Sequence, residues 1–130
     1  MELRPTPLQL LDFDCTEDAD GMVCWDALAS PAAEHQAALL QEVSQVLSWA
    51  YTLAPHGPGA LEDGAPWDFD LQASQQGPSG ASVSAHIAWH PETGLTVRTP
   101  LSPEGRLALS LTLSGTAAFA VAFRAQWGAP

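Results

Sequence analysis

One stretch of this chain has the apolar spacing of an α-helix, whereas most of the remainder alternates between apolar and polar residues. Ser30 followed by Pro31 is a typical helix start, with a capping hydroxyl and then proline at the first helical position. Pro55 ends the helix because proline disfavours helical geometry in the residue before it. The spacing therefore predicts one long helix from about Pro31 to Leu53. Its expected buried stripe is Leu39, Val43, Val46, Leu47, Ala50 and Leu53.

Before this helix, two alternating segments predict a β-hairpin. Residues 8–14 and 22–28 are the expected strands, and residues 16–21 form a polar turn that ends in Asp-Gly. A hairpin centred on Asp18 brings apolar residues opposite each other. In that register Leu11 faces Trp25, and Phe13 faces Val23.

The two cysteines flank this expected turn. With the hairpin centred on Asp18, Cys15 and Cys24 point to opposite faces of the sheet. A disulfide between them would require a register slip, so we expect two free thiols.

Five further alternating segments follow the helix. They predict strands at residues 67–74, 82–90, 95–99, 106–113 and 118–127. A hairpin centred on Gly115 joins the last two, because it sets Leu111 opposite Phe119 and Leu109 opposite Val121. Residues 54–66 hold three prolines and three glycines, and we expect a loop there within a single domain of residues 1–130.

The element order β-β-α-β-β-β-β-β predicts an α+β fold, with a curled antiparallel sheet of about six to seven strands packed on one long helix. A flat sheet of that width leaves apolar surface exposed, so the sheet is expected to curl or to pair with a second copy. The second faces of the last two expected strands carry small residues. Either residues 54–66 cover this face or a second copy does, and we favour association because a smooth face packs closely against another sheet. The expected surface of such a homo-oligomer is Ala108, Ser110, Ala120 and Ala122.

Charge excludes two classes of partner. The chain has 15 acidic residues, four arginines and no lysine, and its formal net charge is −11. Between Arg4 and Arg98 lie 13 carboxylates and no arginine. Binding to nucleic acid or to anionic lipid requires clustered lysine or arginine, so neither partner is expected. A field of this sign attracts basic partners, although the same acidity also serves solubility alone.

The first functional hypothesis follows from this field. We expect a non-enzymatic protein-binding module, of the chaperone, inhibitor or immunity-protein kind, that recognises a basic protein. Trp25 is the expected apolar anchor of the contact surface. The complete expected set is Asp12, Asp14, Glu17, Asp18, Asp20, Trp25 and Asp26.

The alternative hypothesis is a small apolar-ligand binder or a thioesterase-like enzyme with a pocket between helix and sheet. A hairpin centred near Pro78 places Asp70 opposite His86, where the carboxylate would orient the imidazole as a general base. No cofactor or metal is expected. His86 and His90 would lie about 13 Å apart on a strand, which is too far for one ion.

The acidic turn is not expected to bind calcium either. Asp18, Asp20 and Gly21 match part of an EF-hand loop, but Thr16 and Ala27 stand where its first and last carboxylates are required.

The cellular compartment is predicted from the lack of a recognisable signal peptide or membrane span. Residues 1–14 lack the apolar run of a signal peptide, and no segment approaches the roughly 18 apolar residues of a membrane span. Two cysteines without a secretion signal indicate a cytoplasmic protein.

Overall fold

The structure is a computed structural model that describes residues 8–53, 58–59, 64–76, 82–97 and 106–128. The strands are β1 (Phe13–Glu17), β2 (Val23–Ala29), β3 (Trp67–Gln76), β4 (Ser82–Ala85), β5 (Ile87–His90), β6 (Gly94–Val97) and β7 (Arg106–Gly115). The helices are α1 (Gln36–Leu53), which follows a 3-10 turn at Ala33–His35, and α2 (Ala117–Trp127).

Five strands form the main sheet in the order β1-β2-β7-β3-β4, and every neighbouring pair is antiparallel. The remaining two, β5 and β6, form a separate antiparallel pair. The expected α+β class with an antiparallel sheet is confirmed. The expected element order is wrong in its last element, and the strands form a sheet of five and a pair.

The long helix ends at Leu53 as predicted, but it begins at Gln36, after the 3-10 turn, and not at about Pro31. The Ser30 hydroxyl, expected to cap the helix, instead accepts a hydrogen bond from Arg106. Five of its six expected core residues have an exposed fraction of 0%: Leu39, Val43, Val46, Leu47 and Ala50. Leu53, the sixth, is 46% exposed at the C-terminal end of α1. None of the described helices is long and apolar enough to cross a membrane.

Residues 118–127 form a helix, and the predicted strand there is wrong. Phe119 and Phe123 are buried one helical turn apart, while Val121 between them is 68% exposed. Phe119 and Phe123 fit a strand period as well as a helical period, so spacing alone does not separate the two. The Thr116 hydroxyl caps α2 by accepting a hydrogen bond from the Phe119 amide.

Because residues 117–127 are helical, β7 pairs with β2 and β3 and not with the segment that follows it. Leu111, expected opposite Phe119, lies instead between Ala27 of β2 and Leu71 of β3. The most apolar strand is thereby placed at the centre of the sheet, where Leu107, Leu109, Leu111 and Leu113 are buried.

The first hairpin is centred two residues later than predicted. Cys15 lies opposite Trp25, and Phe13 lies opposite Ala27. The turn explains the shift, since the Asp18 carboxylate accepts hydrogen bonds from the amides of Asp20 and Met22. The shift is even, so each side chain keeps its face, and both cysteines are free thiols as expected.

The expected strand at residues 82–90 is broken at His86. β4 continues the main sheet beside β3, whereas β5 leaves it to pair with β6. The indole of Trp89 in β5 donates a hydrogen bond of 3.2 Å to the Ser44 hydroxyl of α1. The β5–β6 pair therefore packs against α1.

Candidate functional site

The two faces of the main sheet have different surroundings. Alternate residues of β2 and β7 are buried beneath the helices, together with Trp67 of β3, and Trp25 and Trp67 contact Phe119 of α2. The opposite face carries no helix among the residues that the structure describes, and we call it the open face. Its residues include Asp14, Thr16, Cys24, Asp26, Leu28, Asp68, Asp70, Gln72, Ser74, Arg106, Ala108, Ser110, Thr112 and Ser114.

Three aspartates form a row across the open face. Asp14 of β1 lies opposite Asp26 of β2, which lies opposite Thr112 of β7, and Thr112 lies opposite Asp70 of β3. At a strand spacing of about 4.8 Å, this row of four side chains is about 14 Å long. Asp68 stands in the next row, opposite Ser114.

Neutral groups hold two of these carboxylates in place. The Thr112 hydroxyl donates a hydrogen bond of 2.8 Å to Asp26 Oδ1, and the Gln72 amide donates one of 2.8 Å to Asp70 Oδ2. The Cys24 thiol lies 3.8 Å from Asp26 Oδ2 as a weak donor. Because no contact in this set involves a cation, the negative charge of the row is oriented without being neutralised.

The pKa of Cys24 is affected by burial and by the negative charge of this row. Burial raises the pKa of the Cys24 thiol, and the charge of Asp26 and the hydrogen bond to it raise that pKa further. Both electrostatic effects favour the neutral thiol over a second negative charge on the same patch.

The β1–β2 turn extends the negative surface beyond the sheet. Glu17, Asp18 and Asp20 are exposed there, next to the row, and Asp12 is exposed just before β1. We call the whole set the acidic end: Asp12, Asp14, Glu17, Asp18, Asp20, Asp26, Asp68 and Asp70. Between the turn and Ser114 the surface forms an open hollow of about 690 Å³.

The described arginines lie away from the row. Arg106 is on the open face at the opposite end of β7, about 20 Å from Thr112 along the strand. Its guanidinium donates hydrogen bonds to the carbonyl and the hydroxyl of Ser30. Arg124 belongs to α2, on the helical side of the sheet. The open face is thus negative at one end and positive at the other.

The structure brings together most of the residues expected to bind a partner, but Trp25 is not among them. Trp25 has an exposed fraction of 0%, and its ring stacks on Phe123 with the centroids 4.3 Å apart. It faces the helices, so its expected role as a surface anchor is wrong. Leu28, 81% exposed on the open face, is the large apolar residue near the acidic row.

Asp68 and Asp70 are members of the acidic end that the sequence did not place there. Alternation assigns them to the polar side of β3, but their neighbours depend on the pairing of β3 with β7 and of β7 with β2. Those pairings join segments far apart in the chain, and local spacing carries no signal for them.

The predicted pair of Asp70 and His86 does not form. The ladder between β3 and β4 ends where Ala73 meets Ala85, so His86 lies beyond the end of this ladder. Asp70 instead lies across from Thr112. A surface hollow of about 520 Å³ adjoins His86, but Asp70 is not part of its wall.

The expected surface for self-association is also wrong. Ala108 and Ser110 lie on the open face, whereas Ala120 belongs to α2 and is 1% exposed, within the core. Ala122 lies on the same helix. The four residues expected to form one sheet face are therefore divided between the two sides of the molecule.

Within the described residues, no group of three or more histidines, cysteines or carboxylates is arranged to hold a metal ion. Comparison with protein-family models, with curated proteins and with solved structures finds no match. Function is therefore argued from the surface itself.

Proposed function

We propose that this chain is a non-enzymatic, cytoplasmic protein-binding module whose acidic end holds a basic protein. The observation that carries the proposal is the row of Asp14, Asp26 and Asp70, exposed on a sheet face that no described helix covers, while the other face is packed beneath helices. Aligned carboxylates that are oriented by neutral donors favour a cationic partner and raise the rate of encounter with it.

The distribution of charge supports a binding role over solubility alone. Eight of the eleven described carboxylates belong to the acidic end. By contrast α1 carries only Glu42, which is occupied by backbone amides, and α2 carries none. An acidity that served solubility alone would not need to gather on one part of one sheet.

Leu28 supplies an apolar contact beside the charges. It lies one row below Asp26 on β2, across from Ser110 of β7. A partner that covers the row would also bury this side chain, which adds a hydrophobic contribution to the electrostatic one.

The proposal is tested by titration with poly-L-lysine at low and at high ionic strength, measured by calorimetry. We expect binding at low salt and an affinity lower by about tenfold or more at high salt, because salt screens exposed charges. An affinity that does not change with salt would contradict the electrostatic mechanism.

Charge-matched variants locate the effect. Asp14→Asn with Asp26→Asn removes two carboxylates from the row, and Glu34→Gln with Glu92→Gln removes two exposed carboxylates elsewhere. We expect the first pair to weaken binding and the second to leave it nearly unchanged. Equal weakening by both pairs would show that net charge matters and that the open face does not.

A further inference from the structure

The outer edge of β1 is the side of the acidic end where no strand of the described residues pairs. β1 is the last strand of the described sheet on that side, and its neighbour β2 is paired on both sides. An edge strand presents amide and carbonyl groups that an extended segment from another chain can join.

Hydrogen bonding in the turn fixes which groups face outward. The Asp18 amide donates to the Met22 carbonyl, so Asp18 and Met22 form a hydrogen-bonded pair. Hydrogen-bonded pairs recur every two residues along an antiparallel ladder, so Thr16 and Asp14 point their backbone groups toward β2. The amides and carbonyls of Phe13, Cys15 and Glu17 therefore point to the free edge.

Charge decides the occupant of this edge. A second copy of the chain would bring another acidic end against Asp12, Asp14 and Glu17, and opposed like charges destabilise strand pairing. A basic strand meets the same carboxylates favourably. We infer that β1 receives an extended, basic segment of a partner protein as an added strand; this binding mode rests on the proposed function.

The two faces of β1 specify the partner's sequence. On the open face, a partner side chain lies beside Asp14, where lysine or arginine is favoured. On the helical side it lies beside Phe13, which is 7% exposed, and the half-buried Cys15, where an apolar residue is favoured. The fitting segment alternates basic and apolar residues.

The test uses a capped peptide of alternating lysine and valine, at least as long as the five residues of β1. A matched peptide carries N-methyl groups on the amides that would face β1, which removes the ladder hydrogen bonds and keeps every charge. We expect the unmodified peptide to bind about tenfold or more tightly than the methylated one at low salt. Amide exchange at Phe13, Cys15 and Glu17 should slow in its complex.

Variants of the protein test the same hydrogen bonds by altering β1 and leaving the peptide unchanged. Cys15→Pro removes an outward amide without breaking the β1–β2 ladder, and Cys15→Ala controls for the lost thiol. We expect Cys15→Pro to bind the unmodified peptide about tenfold more weakly than Cys15→Ala, which lacks the same thiol but keeps the outward amide. Because the peptide comparison uses the unaltered chain, it decides the question even where the proline variant fails to fold.

The outcomes separate this inference from the proposed function. Equal affinity for the two peptides, with unprotected amides at Phe13, Cys15 and Glu17, would overturn strand addition and leave the acidic surface as the binding site. Failure to bind either peptide or poly-L-lysine at low salt would overturn both.

Discussion

At the residue scale, a single carboxylate on α1 holds the segment that leads into β1. Glu42 Oε1 accepts hydrogen bonds of 3.0 Å from the amides of Leu10 and Leu11, while Oε2 accepts from Gln9 at 3.0 Å. These hydrogen bonds satisfy backbone amides that lie outside any strand. They also position Leu11, which is 4% exposed, in the core. The acidic end begins one residue later, at Asp12.

Glu42→Gln is expected to loosen this segment. An amide offers one acceptor oxygen where the carboxylate offers two, and its NH₂ group opposes backbone donors. We expect a loss of about 1–3 kcal/mol in the free energy of unfolding, measured by denaturant titration, and faster amide exchange at residues 9–11. Glu34→Gln, which removes an exposed carboxylate, should change stability by less than about 0.5 kcal/mol. No change in exchange at residues 9–11 would contradict this assignment.

A second residue-scale prediction concerns the thiol on the open face. Because burial and then Asp26 raise the pKa of Cys24, its thiolate is scarce at a given pH and alkylation is slow. In a Cys15→Ala background, Asp26→Asn should lower that pKa and move the pH–rate profile of alkylation to lower pH.

Asp70→Asn serves as the control for Cys24, because it removes the same charge from the row but is not among the groups that shift this thiol. It should leave the pH–rate profile nearly in place. A profile that Asp26→Asn does not move would show that this carboxylate has no effect on Cys24.

At the element scale, the junction between β7 and α2 determines which strands meet β7. Gly115 ends β7 and is buried, and a Cβ atom there would clash with the Phe119 ring. The chain turns at Thr116 directly into α2, so Phe119 and Phe123 pack on Trp25. A hairpin at Gly115, as the alternation predicted, would have removed this contact.

Gly115→Ala should therefore be destabilising. The added methyl group meets the base of a buried aromatic ring that is itself packed between Trp25 and Trp67. We expect a loss of about 1–3 kcal/mol by denaturant titration, and near-neutral behaviour for Ser114→Ala on the other face. A fully stable Gly115→Ala protein would contradict the packing of α2 described above.

Local signals located most of α1 and were insufficient for α2. The apolar stripe and Pro55 specify the buried face of α1 and its end at Leu53, whereas Ser30 and Pro31 lie before its first residue, Gln36. In α2, the spacing of Phe119 and Phe123 fits both a helix and a strand. Which of the two forms depends on contacts with Trp25 and Trp67, which belong to distant strands. Tertiary contacts of this kind are absent from any local pattern.

The acidic end was predicted in the same partial way. The hairpin carboxylates cluster because they are close in sequence, so charge counting found them. Asp68 and Asp70 lie near them because β3 pairs with β7 and β7 pairs with β2. Trp25 lies on the opposite face of the sheet, because alternate residues of β2 face the helices. Which strand lies next to which, and which face a helix covers, required the structure.

At the scale of the whole molecule, the two sides of the main sheet differ in composition among the described residues. Helices, buried leucines and aromatic rings occupy one side of the sheet. Asp14, Asp26, Asp68 and Asp70 lie on the other side with small polar residues and Leu28, and Arg106 lies at its far end. An antiparallel sheet with one uncovered face is stable when that face is polar, so the fold itself permits an open binding surface.

The most direct test is a residue-resolved map of amide chemical-shift changes in the protein during titration with poly-L-lysine at low salt. We expect the changes to concentrate at Cys24, Asp26, Asp70 and Thr112, and to fall away along the outward side of α1. Changes confined to the helical side, or spread evenly over both sides, would contradict the assignment of the open face as the binding surface.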